Sequence, residues 1–206
     1  MIRKLSLTLA AAVVMILLQT VAKADTVTFS GGFGVTASIT NYTLNGNQFT
    51  FTVNNTSSTG SITAIGFNLP GSRPNFSLVS GTNTNFELAN DVNAQAGAQN
   101  FTSSFDVALL TGNNFGGGKV SEGVLAGVSP QNTATFTISG DFSGLTAEQI
   151  ARSIILRFQG IGPRDESTIG LPNPNAPIPE PMTMILFGSG LAGVAASARR
   201  RRNAAK

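Results

Sequence analysis

Apolar and polar residues alternate along most of the middle of this chain. Val35-Thr36-Ala37-Ser38-Ile39 and Phe49-Thr50-Phe51-Thr52-Val53 place apolar side chains on one face and hydroxyls on the other, the period-two pattern of half-buried strands. A two-residue turn at Asn45-Gly46 would pair Ile39 with Thr52 and mix the faces. A three-residue loop Leu44-Asn45-Gly46 pairs Ile39 with Phe51 and Ala37 with Val53, and this second register is the one expected. Further strands are predicted at 65–69, running into the Pro70-Gly71 turn, at 101–109 with Phe105, Val107 and Leu109 on one face, at 134–138, and through Ile154, Leu156 and Phe158. Weaker alternation predicts strands at 27–30, 76–79, 86–88 and 124–128. Segments 90–100 and 112–119, rich in Asn, Gly, Gln or Ala, read as loops. Thr146-Ala147-Glu148-Gln149 fits a capping box and predicts one short helix running on through Ile150-Ala151. The pattern predicts an all-β domain over residues 25–165, a single antiparallel β-sandwich of jelly-roll or immunoglobulin-like kind.

The pattern changes at both ends. Arg3-Lys4, the apolar run 5–18 and Ala22-Lys23-Ala24 have the three parts of a secretory signal, so residues 1–24 are expected to be a signal peptide cut between Ala24 and Asp25. A first transmembrane helix is the competing reading, but the run is shorter than the ~20 residues a span prefers. Prolines 172, 174 and 177 mark 166–178 as an extended linker. Residues 182–198 are uncharged, and Arg199, Arg200, Arg201 and Arg202 follow at once. Seventeen residues at ~1.5 Å each span about 25 Å, close to a hydrocarbon core, and the arginine block is a stop-transfer signal that holds the C-terminus in the cytoplasm. The domain before it is therefore expected on the periplasmic side. Gly188, Gly190 and Gly193 give this helix a narrow side that another helix could approach, either a processing protease or a second copy.

Charge narrows the functions open to the exported part. The chain carries 13 basic and 10 acidic residues, but only Arg73, Lys119, Arg152, Arg157 and Arg164 lie between Asp25 and Glu180, against all 10 acids, a net of −5. Nucleic acid is thereby excluded as a partner. Neither histidine nor cysteine occurs, which removes Ser-His-Asp chemistry, thiol catalysis, histidine metal sites and disulfides. Gly116-Gly117-Gly118-Lys119 fails the phosphate-loop pattern because Val120 follows the lysine. Carboxylate chemistry remains, drawn from Asp91, Asp106, Glu122, Asp141, Glu148, Asp165 and Glu166, but their spacing matches no calcium loop. No catalytic, cofactor-binding or metal-ligating residue is expected, and the domain is read as non-enzymatic.

The tail resembles the PEP-CTERM sorting domain of exported bacterial proteins. The resemblance rests on Pro179-Glu180-Pro181, the apolar segment 182–198 and the arginines 199–202, in that order at the end of the chain. It implies entry by the general secretory route, transient anchoring in the inner membrane, and cutting near Pro179, Glu180 and Pro181 by the membrane protease exosortase, with delivery to the cell surface or extracellular matrix. The proline-flanked glutamate suits this role, since Pro181 biases it toward extended backbone. For the domain itself the expectation is a surface or matrix protein associated with exopolysaccharide and biofilm. The alternatives are a carbohydrate-binding module using Asn, Asp and Tyr42, and a carboxylate-dependent glycosidase.

Overall fold

A computed structural model describes residues 26–174 apart from 72, 97–100, 117–119 and 122–123. Among them the alternating segments become strands β1 (Val27–Gly31), β2 (Thr36–Asn45), β3 (Gln48–Asn55), β4 (Ser61–Phe67), β5 (Ser77–Gly81), β6 (Glu87–Ala96) and β7 (Phe101–Leu110). They continue as β8 (Val120–Ser121), β9 (Val124–Leu125), β10 (Thr133–Ser139), β11 (Ile154–Ile161) and β12 (Glu166–Pro172), with one helix, α1 (Ala147–Arg152), before β11. The helix starts where the capping box places it. Gln149 N donates to the Thr146 hydroxyl at 3.2 Å, Thr146 N donates back to Gln149 Oε1 at 2.8 Å, and Ile150 and Ala151 are buried in the core.

Ten strands form one antiparallel sheet in the order β5-β10-β3-β2-β1-β12-β11-β4-β7-β6. This corrects the expected two-sheet sandwich, and the cause is one strand. Without β12 the ladder would fall into a five-strand and a four-strand sheet. β12 pairs with β1 on one side, Phe29 opposite Pro172, and with β11 on the other, Leu156 opposite Gly170, and so makes the sheet continuous. It lies in residues expected to be linker, so the sheet runs past the boundary placed at 165, and the compact unit holding it ends at Asn173.

The β2–β3 hairpin solves the register problem in a third way. Asn45 pairs with Gln48 around Gly46, whose φ of 60° suits glycine, and an irregularity between Thr40 and Thr43 shifts the ladder so that Ile39 faces Val53 and Ala37 faces Asn55. Asn41, at φ 51°, occupies the bulge. The apolar face is kept whole, as expected, but the bulge achieves it and the loop length does not.

Phe51 on β3 and Phe67 on β4, far apart in the strand order, meet edge to face at 5.5 Å. The sheet therefore curls over its own apolar face, and Phe29, Phe49, Phe51, Phe67, Phe136 and Phe158 fill the interior. Its two end strands nearly meet. Phe76 N, just before β5, donates to Asn90 Oδ1 on β6 at 2.8 Å, and Asn90 Nδ2 donates to Phe76 O at 3.1 Å. One side-chain amide thus imitates a backbone pair across the seam.

A second, smaller apolar cluster holds Ala64, Ala94, Phe105, Ala108, Leu110, Phe115 and Ile169. Phe105 was expected beside Val107 and Leu109. Those two enter the main core, whereas Phe105 packs against Phe115 at 4.7 Å and covers Gly66, where an added Cβ would lie 2.7 Å from the ring. The alternation breaks next to Asp91, which has φ 53° on the partner strand, between the pairs Asn90–Val107 and Val92–Phe105.

Candidate functional site

β4 pairs with β7 only from Val107 to Leu110, so the β6–β7 ribbon continues past the wrapped sheet as two strands from Val92 to Ala96 and from Phe101 to Phe105. Segment 90–96, expected to be loop, is strand because Val92-Asn93-Ala94 alternates against Ser103, Ser104 and Phe105. Its alanines and amides carry little β propensity of their own, and the partner strand holds it.

Beside the root of this ribbon lies a cleft of about 470 Å³ lined by Asn68, Leu69, Gly71, Asp91, Asn93, Ser104, Phe105 and Asp106. A neighbouring hollow of about 500 Å³ shares Asn93 and Ser104 and extends to Ala94, Thr102 and Ser103. One wall is built by Asp106. Its carboxylate accepts Leu69 N at 3.1 Å and Arg73 N at 3.0 Å, fixing the loop that leaves β4. Arg73 then ties that loop to the turn after β10. Its guanidinium donates to Pro70 O at 2.9 Å, to Asp141 O at 2.9 Å and to Ser143 O at 3.0 Å. On the ribbon, the Ser104 hydroxyl donates to Asn93 Oδ1 at 3.3 Å. The cleft offers amides, a hydroxyl and the Asp91 carboxylate, a set that exchanges hydrogen bonds with a hydroxyl-rich molecule.

The other candidate carboxylates are dispersed. Asp141 accepts Ser143 N at 2.9 Å, and its hydrogen bonds to Ser143, with Arg73 nearby, hold its carboxyl below the usual range. Glu148 accepts from Arg152 at 2.9 Å along α1. Asp165 and Glu166 sit at the turn into β12, and Glu122 lies outside the described residues. No group of three His, Cys, Asp or Glu that could hold a metal occurs among the described residues. Tyr42 is buried in the main core and cannot face a ligand, which corrects its expected role in sugar binding. Asn68, Asn93 and Ser104 were not singled out from sequence; the alternation of 92–96 was the signal available.

Ala24, Asp25, Pro179, Glu180, Pro181 and Arg199 to Arg202 all lie outside the described residues, as does the apolar segment 182–198. Among those described, no helix is long and apolar enough to cross a membrane. Comparison with family models identifies the tail. Residues 177–202 match the PEP-CTERM protein-sorting motif, so the chain carries the sorting domain that its sequence resembles. That motif marks an exosortase-targeted exported protein, anchored transiently in the membrane at its C-terminus. No curated protein and no solved structure matches the chain.

Proposed function

We propose that the wrapped β-domain is a non-enzymatic surface or extracellular-matrix protein, released by exosortase and associated with exopolysaccharide. The sorting motif carries this reading, because it implies export with transient anchoring at the C-terminus. The use of the acids supports it. Asp106, Asp141 and Glu148 are engaged by backbone amides or by arginines, which is structural work. Immunoblotting of cell and medium fractions from a strain lacking exosortase tests the route. The chain is expected to stay cell-bound there, and release at the parental level would overturn the reading.

The cleft beside the ribbon favours a second reading, a carbohydrate-binding module for the cell's own polymer. Asn68, Asp91, Asn93 and Ser104 supply polar contacts in a space of the size that holds a small ligand. Calorimetric titration with purified exopolysaccharide is expected to give a binding isotherm that Asp91→Ala with Asn93→Ala weakens at least about tenfold. A flat trace from the parent would remove this reading and leave the first standing.

A further inference from the structure

The ribbon leaves β7 with a free edge. From Phe101 to Phe105 its one strand partner among the described residues is β6, because β4 stops pairing at Val107 and the loop after it bonds the Asp106 carboxylate through Leu69 N and Arg73 N instead of continuing the ladder. Free edges in soluble domains are usually blunted by lysine, proline or a bulge. This one is bare. No charged residue and no proline occurs between Asp91 and Asp106, in an exported region that carries a net −5.

The free strand is also chemically symmetric. It reads Phe101-Thr102-Ser103-Ser104-Phe105. Laid antiparallel on a second copy about Ser103, it places Phe101 opposite Phe105, Thr102 opposite Ser104 and Ser103 opposite Ser103. The Phe105 ring is already buried against Phe115, so the new contacts come from the exposed Thr102 and Ser104, whose hydroxyl pairs suit an antiparallel ladder, and no like charges meet. The same chemistry already operates inside the fold, where the Thr50 and Thr137 hydroxyls meet at 2.9 Å across β3 and β10, and those of Thr52 and Thr135 also at 2.9 Å. Along this stretch Thr102 and Ser104 are exposed and Ser103 is half-buried.

We propose that two copies of this chain pair antiparallel through the free edge of β7, joining their ribbons into one four-stranded sheet with a twofold axis at Ser103. Such an interface is isologous and closes on itself. Five residues a side make a small contact, so the dimer forms where copies are crowded, as at a membrane before release or in a matrix after it.

The absence of cysteine allows a position-specific test on the full chain. In the proposed register the two residues at 103 lie at a separation a disulfide accepts, so Ser103→Cys is expected to give a disulfide-linked dimer in membranes under mild oxidation. Adding Thr102→Lys and Ser104→Lys sets lysine against lysine in both copies and is expected to cut cross-linking at least about tenfold. Thr102→Lys with Ser104→Glu instead sets lysine against glutamate and is expected to restore it. Circular dichroism melts of the variants confirm that the fold is kept. No cross-link from Ser103→Cys, equal cross-linking in the double-lysine variant, or failure of the lysine–glutamate pair to rescue would each overturn the proposal.

Discussion

The carboxylate of Asp106 accepts two backbone amides, so Asp106→Ala strands Leu69 N and Arg73 N in a partly buried loop. A loss of about 1–3 kcal/mol in urea denaturation is expected. Arg157 presents the opposite case. It is 6% exposed, donates to Ser167 Oγ at 3.1 Å and finds no acceptor for its Nε among the described residues, and burial lowers its pKa. Among the described residues no counterion meets Arg157, and a buried cation so placed destabilises, so Arg157→Met should raise stability by about 1 kcal/mol or more in the same assay. Asp141 titrates with a lowered pKa in the folded state, so its contribution is present above the unfolded carboxylate pKa and fades as pH falls through the folded value. The gap in melting temperature between the parent and Asp141→Asn should therefore be open at neutral pH and closed in strong acid. Alternation showed which side chains face inward, as with Phe49 and Phe51. It could not show that Tyr42 would be drawn in by a bulge, or that Asp106 would be taken by amides more than 30 positions away in the chain.

The helix and most of the strands were legible because each carries its own signal: the capping box at Thr146, the clean alternation of 49–53 and 134–138. Thr146→Ala should cost about 1 kcal/mol, measured by thermal melts, since it removes the acceptor for Gln149 N. Most of β6, beyond the start expected at 86–88, and all of β12 were illegible for a related reason. Ala, Asn and Gln dominate β6, and β12 is interrupted by Gly170 and ends on Pro172, so each strand exists because its neighbours supply a ladder. β12 is flanked on both sides and joins the two halves of the sheet. A chain ending at Asp165 should consequently lose cooperative unfolding altogether, read by the absence of a sigmoidal melt. The sandwich was expected from the number and spacing of the strands, which cannot show that this one strand joins what would otherwise be two sheets.

For the molecule as a whole, the chain enters and leaves the sheet side by side, because Asn173 N donates to Thr28 O at 2.8 Å. A circular permutant with Asn173 joined to Thr26 by a short linker and opened within the turn 162–165 should fold with a melting curve like the parent's. The cleft could not have been foreseen as a site, for it is assembled from the loop after β4 and from both strands of the ribbon, which pattern-reading of separate segments does not bring together. The tail was the reverse, a contiguous signal read whole from its own residues.

The placement of β12 has a mechanical side. Any load that reaches the domain from its C-terminal side enters through β12, its last strand. Because that strand pairs with β1 on one flank and β11 on the other, two rows of hydrogen bonds share the load where an edge strand would offer one.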